Sequence, residues 1–287
     1  MRVGITGGAG FLGSHVSDAL LLAGHDPVVM DLPGAFVPDD RMFVEVDVTR
    51  QEGLVEALTG CDAVFHCAAV ADLGEARQDP RRALEVNVMG TLNVLEAAAS
   101  SGARRFMHAS SVYALSSSGS IYRTSKQASE RLVQDLSVQL GLESTILRFG
   151  SLYGPRSDAH NAIRRMVHQA IRENRIDFWG DGSEVREYIH VRDAASLAVV
   201  ALDAQYVDQA LHITGQERIT TLQLMETINE MLGGVVEITL RDEPFEGRYR
   251  LTPYSLETVQ GMRMVSTTYV DLGLGLLESL REAQEQL

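Results

Sequence analysis

The chain has 287 residues, 45% hydrophobic and 22% charged, a globular composition long enough to bury one large core or two lobes. Acidic side chains outnumber basic ones 39 to 25, giving a net charge of −14, and all the basic residues except Lys126 are arginine. Such a chain lacks the positive field that nucleic acid or anionic lipid demands, so its expected partners are small molecules and copies of itself.

In chain order, Arg2 to Thr6 is the first predicted strand, and it runs directly into Gly7-Gly8-Ala9-Gly10-Phe11-Leu12-Gly13 at the head of a helix predicted over Phe11 to Ala23. No secretory leader precedes that turn, so a cytoplasmic protein is expected. Small residues at this spacing serve a tight turn, a close approach of pyrophosphate to backbone N–H groups, and a helix packed hard on a strand. The competing reading is a glycine-rich turn without a ligand, which the strand-turn-helix context disfavours.

The second predicted strand, Pro27 to Asp31, ends in a carboxylate 18 residues after Gly13. That carboxylate can accept from both ribose hydroxyls of an adenosine and repels a 2′-phosphate. Leu32 and Pro33 supply no arginine to neutralise one, so NAD is favoured over NADP. After the strand Met42 to Val46 come Asp47 and Val48, where two readings stand. Asp47 either faces the adenine amino group or caps a helix predicted over Gln51 to Thr59, a role Thr49 could also fill.

Cys61 and Cys67 flank the strand Ala63 to Cys67 and suit free thiols in a reducing compartment. A helix over Arg81 to Ser100, a strand over Arg105 to Ala109, a helix over Tyr122 to Leu140 and a strand over Thr145 to Phe149 complete the first half. Alternating strands and helices imply an α/β fold with a doubly wound parallel sheet. Past Phe149 glycines loosen the pattern, with helices predicted at 160–174, 191–204, 220–233 and 272–286. The expected organisation is a dinucleotide-binding domain at 1–150 and a smaller mixed substrate lobe at 151–287, with segments at about 185–215 returning to the first domain. Apolar runs such as Leu197 to Leu202 are far shorter than the roughly 18 to 20 residues of a membrane span. The eight histidines make no metal-ligand spacing, so no metal is assigned.

Tyr122 and Lys126 lie four apart on one face of a predicted helix. A phenol with an ordinary pKa near 10 becomes a base at neutral pH only beside a cation, and the sole lysine stands there. Ser110 and Ser111 follow a strand at its carboxyl end, where a hydroxyl can bond the substrate oxygen that gains or loses a proton. Ser111 is the better candidate, and the alternative for either is a turn cap.

These residues resemble the extended short-chain dehydrogenase/reductases, in particular the NAD-dependent nucleotide-sugar epimerase/dehydratase group, of the UDP-glucose 4-epimerase-like kind. The resemblance covers nearly the whole chain. Besides the glycine loop, Asp31 and Asp47-Val48, it is carried by His66-Cys67-Ala68-Ala69, Asn87 to Asn93, Ser110-Ser111 and Tyr122-Arg123-Thr124-Ser125-Lys126. Leu147 to Arg156, Gly180-Asp181-Gly182 and Arg186 to Asp193 extend it.

The resemblance implies that Ser111, Tyr122 and Lys126 are catalytic, with Tyr122 the acid/base. Gly7, Gly10, Phe11, Leu12 and Gly13 would hold the pyrophosphate, Asp31 the ribose, with Asp47, Val48, Ala68 and Ala69 along the NAD cleft. Asn87 would support the site, unless it is merely satisfied by backbone. Arg186 matches the family's arginine on a nucleotide diphosphate, against the alternative of a solvated surface arginine. Ser110 and Asn161 are further substrate-site candidates. Arg241, Arg248 and Arg250 form a second basic cluster, one of which would complete the clamp. A homodimer through helices 81–100 and 122–140 is also implied, with Leu132, Val133, Leu136 and Val138 facing either a partner or the core.

Two departures bear on activity. The segment Val112 to Ile121 is about half the family's usual length, which predicts an open sugar pocket. Val112-Tyr113 stands where the 4,6-dehydratases carry an acid pair, and the glutamate expected of decarboxylases is missing too. The expected reaction is 4-epimerisation of an NDP-sugar, most simply a UDP-sugar, by transient oxidation at C4, with 4,6-dehydration disfavoured. The alternative is a sugar dehydrogenase/reductase with net redox turnover.

Overall fold

The computed structural model describes residues 1–35, 37–38, 40–241 and 261–286. Its described strands form one large sheet in the order β3-β2-β1-β4-β5-β6-β11-β14, with every neighbouring pair parallel. They are β1 (Arg2–Thr6), β2 (Asp26–Asp31), β3 (Met42–Glu45), β4 (Ala63–His66), β5 (Arg105–Ser111), β6 (Glu143–Phe149), β11 (Gln209–Ile213) and β14 (Met262–Met264). The central strands are buried along nearly their whole length because helices cover both faces, which is why they read as continuous apolar runs.

Strand alternation divides the core in two. On one face Val3, Ile5, Phe65, Met107 and Leu147 pack against α1 (Phe11–Leu22) and α8 (Val191–Val200). On the other, Val28, Met30, Val64, Phe106 and Ile146 pack against α2 (Leu54–Leu58), α5 (Gly90–Ser101) and α6 (Ser120–Leu140). A third core joins Tyr153, Ile163, Val167 and Ile176 to Leu224, Ile228, Leu276 and Leu280. Those residues come from β7 (Ser151–Tyr153), α7 (Ala162–Glu173), β8 (Arg175–Trp179), α9 (Thr221–Met231) and α10 (Leu272–Glu285). Chain order reverses between β1 and β4, opening a crevice at their carboxyl ends.

Several predicted boundaries move. Gly53 at φ 82 delays α2 to Leu54, and Asp47 caps no helix: its Oδ1 accepts from Thr49 N at 3.0 Å and Thr49 Oγ1 at 2.7 Å in a local turn. The predicted helix Arg81 to Ser100 contains a π turn, Glu85–Met89, between α4 (Pro80–Leu84) and α5. The helix α3 (Leu73–Gln78), capped by Asp72, has no counterpart among the predicted elements because six residues carry too little periodicity. Strand β5 runs on through Ser111, so both serines are strand residues.

Within 185–215, α8 and β11 join the layers of the large sheet, whereas β9 (Val185–Arg186) and β10 (Tyr188–His190) pair with β12 (Ile219–Thr220) and β7. The parallel strand β13 (Glu237–Arg241) lies beside β8.

Candidate active site

The glycine loop sits where β1 meets α1. Gly7 has φ 68, and a Cβ on it would lie 2.6 Å from Ala68 N; a Cβ on Gly13 would lie 2.2 Å from Gly7 O. These two positions exclude side chains for the fold's own sake. Gly10 differs, because its Cβ would meet only Gly7 O at 3.2 Å and otherwise points into open space. Gly10 caps α1 with no side-chain hydrogen bond and the first turn carries no acid, so the helix's leading N–H groups face the cleft with their partial positive charge uncompensated.

Asp31 closes β2. Its Oδ2 accepts from Ala9 N at 2.9 Å and its Oδ1 from Leu32 N at 2.8 Å, which fixes the carboxylate against the loop and leaves each oxygen a further lone pair. Around these groups lies a cleft of about 630 Å³, lined also by Phe11, Leu12, Asp47, Val48, Ala68 and Ala69. Burial raises the Asp47 carboxyl's affinity for protons, but the Thr49 bonds and the Arg82 and Arg50 charges outweigh it and leave the group lower than usual. An anion cradle at a helix terminus, a Cβ-free approach at Gly10 and a fixed carboxylate at the ribose end fit a dinucleotide with two free ribose hydroxyls.

Ser111, Tyr122 and Lys126 line the same cleft at its far end. Ser111 ends β5 and caps the 3₁₀ turn Val112–Leu115, its Oγ accepting from Tyr113 N at 3.2 Å. Lys126 Nζ donates to Ala109 O at 2.8 Å and lies 6.0 Å from the centre of the Tyr122 ring. Burial pushes the Tyr122 phenol up to about 12, a hydrogen bond with Ser111 opposing it. Burial likewise brings Lys126 down to about 8, with Glu130 opposing, as Cys67 would in its thiolate form. The site by itself therefore keeps Tyr122 protonated, and every positive charge beside it counts toward making it a base.

Asn87 does not line this cleft. It sits behind it in the π turn, accepting from Val70 N at 2.7 Å and donating to Val70 O at 3.0 Å and Ser125 Oγ at 2.9 Å, so it pins the loop after β4 to α6. Ser110 borders the cleft, but its hydroxyl is committed elsewhere, donating to Glu130 Oε1 at 2.6 Å.

A second cleft of about 960 Å³ adjoins the first, and Tyr113, Leu152, His160 and Asn161 are among the residues common to both linings. Asn161 caps α7 through Arg164 N and donates to Leu152 O at 2.8 Å. Arg186 lines the second cleft from β9 and is only 8% exposed, which removes the solvated-surface reading. Arg241 lies outside both linings: it pairs with Asp177 at 3.0 Å and covers the Trp179 ring at 5.7 Å. Arg248 and Arg250 lie outside the described residues.

The structure adds groups the sequence reading missed. Tyr113 meets the Tyr122 ring edge-on at 6.0 Å and borders both clefts. Arg165, His168 and Arg172 of α7 line the second cleft, a face that their three- and four-residue spacing on an amphipathic helix could have revealed. No group of three or more His, Cys, Asp or Glu able to hold a metal occurs among the described residues. No described helix is long and apolar enough to cross a membrane.

A parallel sheet carrying a dinucleotide cradle at its switch point and a Ser-Tyr-Lys set at the cradle's far end defines an NAD-dependent enzyme of the extended short-chain type. The chain belongs to the NAD dependent epimerase/dehydratase family, whose model matches residues 3–213. It is 27% identical over 278 residues to UDP-glucuronic acid decarboxylase 1 of Arabidopsis thaliana, covering 88% of this chain and 63% of that protein, so it spans less than two thirds of that relative's length. It resembles the UDP-glucose 4-epimerase of Thermus thermophilus solved with NAD, at 26% identity and a TM-score of 0.84, with both chains covered in full. The fold is shared also with the UDP-glucose 4-epimerase of Thermotoga maritima, at 24% identity and a TM-score of 0.86, covering 100% of this chain and 99% of that one.

Proposed function

We propose that the protein is an NAD-dependent nucleotide-sugar 4-epimerase. The observation that carries this reading is the meeting of Ser111, Tyr122 and Lys126 at the end of the cofactor cleft, where the second cleft opens. Gly7, Gly10, Gly13 and the head of α1 hold the NAD pyrophosphate and Asp31 its ribose. The chemistry NAD would supply there is reversible hydride transfer at C4: removal gives the 4-keto sugar, and return of the same hydride to its opposite face would invert the centre.

The chain's own residues manage the proton and the position. Tyr122, as the phenolate that the Lys126 ammonium and the positive ring of bound NAD would together favour, takes the proton of the sugar 4-hydroxyl and later returns it. Ser111 donates to the same oxygen as it becomes a carbonyl. Arg186, which lines the second cleft and already donates from Nη1 to Val185 O at 3.2 Å, would turn further donors to the diphosphate. The family resemblance implies that 4,6-dehydration would draw on an acid pair right after Ser111, where the chain has Val112 and Tyr113, and that decarboxylation would draw on a nearby glutamate, which is missing.

A UDP-sugar is the substrate class supported by what the similar proteins are named for. Net dehydrogenase turnover is the second reading, favoured by the size of the second cleft beside the short Val112 to Ile121 rim. Dimerisation through α6 and the π turn leading into α5 is supported by Val138 and Met89, which are 77% and 50% exposed, while Val133 is wholly buried in the subunit's own core. Incubation with UDP-glucose, UDP-galactose, UDP-glucuronate and UDP-N-acetylhexosamines, followed by NMR, tests the proposal. A 4-epimer from one of them is expected; a 4,6-dehydrated or C6-decarboxylated product, steady NADH, or no product from any would overturn it.

A further inference from the structure

Behind the catalytic group lies a buried charged cluster that the mechanism above leaves unused. Glu130 of α6, one helical turn past Lys126, has a side chain 8% exposed and receives a two-pronged contact from Arg148 of β6. Arg148 Nε donates to Oε1 at 3.0 Å and Nη2 to Oε2 at 2.8 Å. Ser110 adds a third donor to Oε1 at 2.6 Å. On the far side of the guanidinium, Arg148 Nη1 donates to His212 Nε2 at 3.3 Å. Since guanidinium offers only donors, His212 accepts through Nε2 and is neutral. Burial, then the Arg148 charge, hold it at about 4, so it adds no charge near neutrality.

A buried carboxylate gripped by three donors is fixed in place. Tyr122, Lys126 and Glu130 recur every four residues along α6, so they share one face of the helix. We propose, on the reading that Tyr122 and Lys126 are the catalytic pair, that Glu130 is a positioning residue whose carboxylate keeps Lys126 in the ammonium form. Lys126 needs such support. Besides Tyr122 and Glu130 on its own helix, it faces Cys67 and His66 at the end of β4 and His108 of β5, and burial keeps both histidines uncharged and the Cys67 thiol protonated. Within the described residues Glu130 is the only carboxylate among these facing groups, with the Arg148 guanidinium behind it.

Lys126 is the chain's sole lysine, so its titration can be read directly. Protein labelled with carbon-13 at lysine Cε gives one lysine resonance, whose shift is followed against pH without substrate. Glu130→Gln should lower the midpoint by about 1 pH unit. Because a lone Arg148 in the core can unfold the chain, Glu130→Gln/Arg148→Met, which removes the pair together, is measured beside it and should also lower the midpoint. Midpoints equal to wild type in the folded variants would overturn the proposal. Tyr122→Phe tests the catalytic reading separately: if it retains turnover, that reading fails, whereas an unmoved lysine midpoint with Tyr122→Phe inactive sinks the Glu130 inference alone.

Discussion

Gly10→Ala and Gly13→Ala are expected to fail in different ways, which separates what the loop does for the fold from what it does for the cofactor. At Gly13 the new Cβ would stand 2.2 Å from Gly7 O and 2.8 Å from Gly8 Cα, both backbone atoms that no rotamer change can move. Relief requires prising α1 from β1, an overpacking cost of about 1 to 3 kcal/mol. At roughly 2 to 4 °C per kcal/mol for a domain of this order of size, Tm should fall by about 2 to 12 °C without NAD. At Gly10 the backbone is extended, φ −73 and ψ 177, and the Cβ's one close neighbour is Gly7 O at 3.2 Å, so Tm should stay within about 2 °C of wild type. That methyl nonetheless occupies the approach to the α1 N–H groups, and NAD affinity should drop at least about tenfold, or ~1.4 kcal/mol. Thermal melts of the ligand-free proteins and calorimetric NAD titrations provide both numbers. Equal Tm losses in the two variants, or wild-type NAD affinity in Gly10→Ala, would refute the reasoning.

Tyr122→Phe should lower kcat by about 10² to 10⁴ while leaving NAD binding within a few fold, checked by turnover and titration on the same preparation. Asn87→Ala leaves the Val70 N–H and C=O without their partner and should cost about 2 to 5 kcal/mol in urea unfolding; a loss under 1 kcal/mol would mean water replaces the amide. Acid should destabilise the protein through its buried histidines. Burial holds His66 at about 3, between Thr6 Oγ1 at 2.7 Å and Thr91 Oγ1 at 3.0 Å, and places stacked His108 well below its ordinary value. The unfolded chain takes up protons below its histidine pKa near 6.5 and the folded chain does not, so stability is full above that value and falls as pH drops below it. The slope approaches about 1.4 kcal/mol per pH unit for each histidine. Urea midpoints measured from pH 7 to 5 should fall steeply, and more gently in His108→Gln; identical slopes in that variant and the wild type would count against His108.

The first half of the fold was readable because its strands are continuous apolar runs between helices of clear period, and β1, β2 and β4 appear within a residue of their predicted ends. Short pieces escaped: β7, β9, β10 and β12 are two or three residues long, and nothing in so few side chains distinguishes a strand from a loop. That Gly7, Gly10, Gly13 and Asp31 line one cleft was readable because they sit at strand ends and loop positions fixed by local spacing. Arg241 misled for the opposite reason, since charge type alone cannot tell a ligand-facing arginine from one paired with Asp177.

Within one element the chain's covalent geometry suffices: the four-residue step from Tyr122 to Lys126 and the glycine spacing before α1 carry their meaning wherever the elements end up. Between elements it does not. Ser110 and Ser111 are adjacent and chemically alike, yet alternation along β5 sends the first hydroxyl to Glu130 and leaves the second to Tyr113 N and Tyr122. Asn87 meets Ser125 across 38 residues, and Glu130 meets Arg148 across 18. Which faces of α5, α6 and β6 come together is settled by the packing of apolar side chains that make none of these polar contacts, so only the folded chain assigns the polar partners.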